Sequence, residues 1–172
     1  MEWSLTERFE KLIPAQESAQ SLVRALTAIG QTVATAESCT GGLAASAIVA
    51  VPGASEVFQN GFITYCDKAK QRILGVSEAT LLAHTAVSAE TAAEMAAGCA
   101  RAGLSDLALA VTGLAGPGGG TPLRPVGLVY VSCYYRERVL VQEYRLEGGR
   151  EEIRRQAAAA ALQLGYYFLR LR

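Results

Sequence analysis

Histidine is nearly missing from this chain. His84 is the only one, which excludes any catalytic or metal site that needs two imidazoles. Lysine is almost as scarce: only Lys11, Lys68 and Lys70 occur, so chemistry that needs an amine base has three candidates. Net charge is also lacking, since 16 basic side chains balance 16 acidic ones. That balance argues against nucleic acid or an anionic membrane as a partner, while leaving room for a local phosphate pocket. Cys39, Cys66, Cys99 and Cys133 lie far apart and form no C-x-x-C pair, which excludes zinc-ribbon and thioredoxin-type sites. Reduced, mostly buried thiols in a cytosolic chain are the simpler reading. Apolar stretches break well before the roughly 18 residues of a membrane span. No N-terminal basic head, apolar run and small-residue cleavage site reads as a signal peptide, and the expectation is a cytoplasmic protein.

What is present is ample apolar mass. Of 172 residues, 51% are hydrophobic and 19% charged. Such a chain forms one domain and buries roughly 70% of its unfolded surface without a disulfide or metal staple. Residues 1–16 read as an amphipathic appendage with a helical rhythm in Trp3, Leu5, Phe9, Leu12 and Ile13, punctuated by Pro14. From residue 17 onward helical and strand patterns alternate. A helix over Glu17–Ile29 stopped by Gly30, a strand at Thr32–Thr35 and a small-residue helix over Leu43–Val51 come first. A strand at Val57–Tyr65 with a bulge or turn at Asn60-Gly61, a short helix over Asp67–Leu74 and another over Ser77–His84 follow. An Ala-rich helix from Ser88, a buried strand at Asp106–Val111, a hairpin of Val126–Tyr134 with Arg138–Tyr144, and a helix from Arg150 complete residues 17–172. The expected fold is a three-layer α/β/α sandwich around a mixed, mostly parallel sheet of about five strands.

Two loops follow predicted buried strands, where open α/β sheets bind ligands. The first, Glu37-Ser38-Cys39-Thr40-Gly41-Gly42, sets two hydroxyls and a thiol at a helix start, where free N–H groups favour a phosphate or an oxyanion. Ser38 or Thr40 serves there equally well as a plain helix cap. The segment is not a G-x-S-x-G elbow. The second runs Gly113-Leu-Ala-Gly116-Pro117-Gly118-Gly119-Gly120 and matches neither the Walker A loop nor the dinucleotide fingerprint. It reads as a phosphate cradle or as a flexible connection.

Between them lies Lys70, three and four residues before Ile73 and Leu74, hence near the buried edge of its helix. Desolvated there, its amine can act as a base; solvated, it is an ordinary surface lysine. His84 has no triad partner nearby and reads as a loop or capping residue. Arg124, and Arg154 beside Arg150 and Arg155 at the start of the last helix, either face solvent or grip a phosphate bidentately.

Five ordered segments then point to a family: Thr35-Ala-Glu-Ser-Cys-Thr-Gly-Gly42; Asn60-Gly-Phe-Ile-Thr-Tyr65 with Lys70 and Leu74-Gly-Val76; Ala86-Val-Ser88; Thr112-Gly-Leu-Ala-Gly-Pro-Gly-Gly119; and Pro125-Val-Gly127. Together they resemble the CinA C-terminal domain family, the nicotinamide-nucleotide amidohydrolases, in its stand-alone form. The likeness runs from about residue 17 to 170. It implies hydrolysis of the carboxamide of nicotinamide mononucleotide to nicotinate mononucleotide and ammonia, with no cofactor and no metal. The family's catalytic serine falls on Ser38, its lysine on Lys70, its tyrosine on Tyr65 and its hydroxyl residue on Thr112. Substrate binding is expected from Cys39, Thr40, Gly41, Gly42, Gly113, Gly116, Gly118, Gly119, Arg124 and Arg154. The partner is then a small pyridine nucleotide, with neither nucleic acid nor membrane, and the chain is expected to form a homo-oligomer, dimer or higher. Cys66-Asp67 departs from a common Ser-Asn, and Arg124 from a common Lys. Asp67 near Lys70 acts to keep that amine charged. Two other readings stand beside this one: a thiol amidase using Cys39, and a non-enzymatic nucleotide-binding or partner-interaction module.

Overall fold

The computed structural model describes residues 2–171. Its elements run β1 (Glu2–Leu5), α1 (Ala15–Ile29), β2 (Val33–Glu37), α2 (Leu43–Val49), β3 (Phe58–Ile63), α3 (Asp67–Ala69), α4 (Glu78–His84), α5 (Ala89–Gly103), β4 (Leu107–Gly113), β5 (Leu128–Tyr135), β6 (Arg138–Arg145) and α6 (Arg150–Arg170). The six strands form one sheet in the order β1-β6-β5-β4-β2-β3. The pairings β1–β6, β2–β3 and β2–β4 are parallel, whereas β4–β5 and β5–β6 are antiparallel. The expected mixed, mostly parallel sheet is present, with six strands rather than about five.

The layers follow from alternation along the strands. In β4, Leu107, Leu109 and Val111 face one side and join Leu22 and Leu26 of α1 and Ile153, Leu162 and Leu164 of α6. Ala108 and Ala110 face the other, with Ala34 and Ala36 of β2, against Ala92, Ala96, Met95 and Cys99 of α5. Small side chains on both surfaces let α5 sit very close to the sheet: a Cβ on Gly103 would come within 2.7 Å of the Ala34 Cβ. Close packing of this kind fixes the position of whatever α5 supports.

Two sequence readings need correction. Residues 2–5 are not helical but an exposed edge strand parallel to β6, extended by the Thr6 amide bonding the Val141 carbonyl at 2.8 Å. Trp3 and Leu5 alternate with Glu2 and Ser4, a period of two, and the free edge of β6 supplies backbone partners. Further on, the Phe9 amide bonds the Tyr144 hydroxyl and the Ile13 amide bonds Gln163, so the segment is tied to the domain up to Pro14, which precedes α1. In β3 the irregularity falls one residue before Asn60. Val33 pairs with Phe58 and Ala34 with Asn60, leaving Gln59 as the extra residue.

The arrangement places the ends of three strands level. β2 is flanked by β3 and β4, both parallel to it, with Glu37 opposite Ile63 on one side and Val111 on the other. The ladder runs one step further, the Ser38 amide bonding the Val111 carbonyl and the Thr64 amide bonding the Glu37 carbonyl, each at 2.9 Å. Ser38, Thr64 and Thr112 therefore share one rim, the carboxyl end of the parallel strands.

Candidate active site

Lys70 opens a single turn of π-helix, Lys70–Leu74, continuing α3. The wider turn routes its carbonyl to the Val76 amide at 3.2 Å, and such turns are frequent where a side chain must be aimed. The turn is backed by α5, where any side chain on Gly98 would collide with the Leu74 carbonyl. Thus held, the Lys70 chain runs inward and only 1% of it is exposed. Its Nζ lies 3.1 Å from Ser38 Oγ and donates to the Thr64 carbonyl at 2.9 Å. Burial pushes the amine below the ordinary lysine value, against the charge of Asp67 and, to a lesser degree, the thiols of Cys66 and Cys39. No carboxylate pairs with it within 4 Å among the described residues. Burial thus disfavours the ammonium, and once deprotonated the amine, with the Thr64 carbonyl accepting one of its protons, has a lone pair to offer the serine hydroxyl.

The helix start behind Ser38 is not an open anion site. Glu37, 1% exposed, turns its carboxylate onto the first turn of α2 and accepts from the amides of Gly42, Ala44 and Ala45 at 2.9, 3.1 and 2.8 Å. The anion expected at this positive helix end is supplied by the chain itself. Neither Ser38 nor Thr40 caps α2. Sequence reasoning passed over Glu37, although it is the one charged residue in the strand VATAE, a pattern that calls for a buried partner.

A cleft of about 240 Å³ joins the rim residues. Among the expected site residues, Ser38, Cys39, Tyr65, Lys70, Thr112, Gly113, Gly116 and Gly118 line it, together with Asp67 and Arg150. Thr112 donates to the Ala86 carbonyl at 2.6 Å, which leaves its oxygen an acceptor toward the cleft. Tyr65 stands on the wall, 61% exposed, its hydroxyl accepting from Arg150 Nη2 at 3.0 Å. Arg150 Nη1 also donates to the Gly116 carbonyl at 2.6 Å, spanning from the glycine loop to the tyrosine. Gly113 serves packing as well, since a Cβ there would lie 2.8 Å from the Leu128 carbonyl oxygen.

Other expected residues are elsewhere. Thr40, Gly41, Gly42 and Gly119 do not line the cleft. Arg154 directs its guanidinium at the loop backbone, donating from Nε to the Cys39 carbonyl at 3.0 Å and from Nη2 to the Thr40 carbonyl at 2.8 Å. Arg124 is turned away, its Nη2 reaching the His84 carbonyl at 3.4 Å. Of the three arginines, Arg150 alone lines the cleft. Cys39 lines the cleft, but burial pushes its thiol up to about 11, helped by the charge of Glu37. A roomier hollow of about 420 Å³, lined by Leu12, Ile13, Pro14 and Leu43, holds no nucleophile–base pair. Among the described residues no group of His, Cys, Asp and Glu converges to hold a metal, and no helix is long and apolar enough to cross a membrane.

The class is that of a doubly covered α/β sheet whose cleft, with a serine hydroxyl and a buried amine in contact, opens at the carboxyl rim of its parallel strands. The CinA C-terminal domain model matches residues 15–168, and the chain belongs to that family. A CinA-like protein of Kosmotoga olearia is 49% identical over 148 residues, covering 86% of this chain and 36% of that protein. A putative competence-damage inducible protein of Caldicellulosiruptor bescii is 44% identical over 167 residues, 95% of this chain and 41% of that protein. The chain thus spans well under half the length of these curated relatives. Among solved structures, the competence/damage inducible protein CihA of Agrobacterium tumefaciens superposes with TM-score 0.88 at 42% identity, covering 94% of this chain and 99% of that one. A CinA superfamily protein of Klebsiella pneumoniae superposes at 0.87 with 34% identity, covering 91% and 98%.

Proposed function

We propose that this domain is an amidohydrolase that converts nicotinamide mononucleotide to nicotinate mononucleotide and ammonia. The observation that carries the reading is the contact of a buried amine, paired with no carboxylate, with a serine hydroxyl, Lys70 Nζ to Ser38 Oγ, inside a cleft.

Ser38 Oγ attacks the carboxamide carbon and its proton passes to Lys70 Nζ. The tetrahedral intermediate collapses as Nζ returns that proton to the departing nitrogen, releasing ammonia and leaving an ester on Ser38. Water then adds to the ester, giving its proton to Nζ, and the carboxylate leaves as the serine is restored. Because Glu37 occupies three amides at the start of α2, stabilisation of the oxyanion falls to those of the preceding loop. The amides of Cys39 and Thr40 donate to no carbonyl or carboxylate among the described residues. Each donor so placed is worth about 3–4 kcal/mol in comparable hydrolases. Arg150 and the open backbone around Gly118 hold the phosphate, fixing the ring's amide against Oγ.

Ammonia release from nicotinamide mononucleotide by the purified protein tests this. Release that disappears in Ser38→Ala and in Lys70→Ala supports it, and full activity in either variant removes that residue from the mechanism. Nucleotide binding without any release would favour a binding module.

A further inference from the structure

The cleft holds two permanent charges of opposite sign that do not pair with each other. Asp67 and Arg150 both line it, both are exposed, and neither forms an ion pair within 4 Å among the described residues. Arg150 is held near the glycine loop by the Gly116 carbonyl and braced by Tyr65. Asp67 lies at the start of α3, three residues ahead of Lys70 and near enough for its charge to act on that amine. The second carboxylate of this region, Glu37, is satisfied by three amides, whereas the side chain of Asp67 has no hydrogen-bond partner among the described residues.

A bare carboxylate beside an amine that must stay neutral works against the chemistry, because its field favours the ammonium. The conflict disappears if the occupant of the cleft carries a positive charge next to the reacting amide, which cancels that field when bound. The two unpaired charges ask for the same ligand, a cationic ring for Asp67 and an anionic group for Arg150.

Resting on the amidohydrolase reading, we propose that Asp67 is the counter-ion of a positively charged heteroaromatic ring, so that the cleft selects pyridinium carboxamides over neutral aromatic carboxamides. Asp67 is thereby a specificity residue rather than a catalytic one.

Oxidised nicotinamide mononucleotide and its dihydropyridine form share the amide, ribose and phosphate but differ by the ring charge, and they isolate this claim. Calorimetry on the Ser38→Ala protein should give a dissociation constant about tenfold lower for the oxidised form, as expected for one partly screened charge pair. The preference should collapse toward unity in Ser38→Ala/Asp67→Asn, persist in Ser38→Ala/Asp67→Glu, and shrink with added salt. Repeating the comparison in Ser38→Ala/Lys70→Met, with and without Asp67→Asn, removes the influence of Asp67 on the Lys70 charge from the ratio. An equal ratio with and without Asp67, or no binding of the oxidised form, overturns the proposal. A charge preference that depends on Asp67 in a protein releasing no ammonia leaves it standing while the hydrolase reading fails. Ammonia release with no such dependence does the reverse.

Discussion

Arg150 and Arg154 stand one turn apart on α6, are the same residue, and do different work. Arg154 is half-buried and spends its guanidinium on the carbonyls of Cys39 and Thr40. Arg150 is exposed, braced between Tyr65 and the glycine loop. The same division runs through the whole cleft. At its dry end Ser38 and Lys70, with Glu37 and Arg154 behind the loop, satisfy one another or the backbone, and order there is built in before a ligand arrives. At its wet rim Tyr65, Asp67, Arg150 and the glycine loop keep donors, acceptors and charges for a guest. On the proposed amidohydrolase reading, binding energy belongs to the rim and bond making to the dry end, so changes at the two should separate KM from kcat.

The sharpest break comes at the dry end. Lys70→Met keeps the length of the side chain and removes the base, and turnover should fall about a thousandfold or more. The same change should raise the melting temperature at neutral pH, because an amine is no longer kept from water. The sign follows from linkage. The folded-state amine titrates below its unfolded value of 10.5, so the unfolded chain binds more protons between the two. Wild-type stability therefore rises with pH across that window, and the advantage of Lys70→Met shrinks toward pH 10.5. Thermal melts of both proteins across pH, beside ammonia release, check this. A variant that is both inactive and less stable would mean that Lys70 is held as a cation.

The two arginines come next. Arg150→Ala should raise KM at least about tenfold with a smaller change in kcat, and leave the melting temperature nearly unaltered, since it removes a charge-assisted grip on the ligand. Arg154→Ala should show the opposite pattern, a loss of about 1–3 kcal/mol in stability with kcat lowered more than KM, because two loop carbonyls lose a charged donor. Steady-state kinetics and melting curves on the pair decide it. Identical behaviour would erase the distinction between dry end and rim.

Much of this architecture was legible in the chain, and what was not has a physical reason. The Leu/Ala alternation of Leu107–Val111 declares a strand between two layers, and Gly30 and Gly75 end their helical segments where the pattern predicts, each at positive φ. The edge strand β1 was not legible, since four residues hold barely one period of either pattern. The pairing of Ser38 with Lys70 is likewise invisible to spacing. They sit on separate elements, and the contact exists because β2 lies between β3 and β4, an order that no local pattern encodes. Glu37 was legible in principle, as a lone charge in an apolar strand. Arg150 and Arg154 were not separable, because one helical turn leaves them on the same face and only the loops opposite decide which carbonyls each meets.

The smallest expected effect tests the nucleophile. Cys39 is adjacent to Ser38 and lines the same cleft, so adjacency alone does not choose between oxygen and sulfur. Burial holds its thiol at about 11, outweighing the opposing pull of its own amide, with a smaller push from the charge of Glu37 and smaller pulls from Lys70 and Arg154. Near neutral pH only about one thiol in ten thousand is then the reactive thiolate. Cys39→Ser should therefore leave ammonia release within about twofold of wild type. An alkylating reagent at neutral pH should label exposed Cys66 well before buried Cys39. A loss of turnover in Cys39→Ser with an unchanged melting temperature would instead move the nucleophile to sulfur and leave Ser38 as its neighbour, with Lys70 still the base.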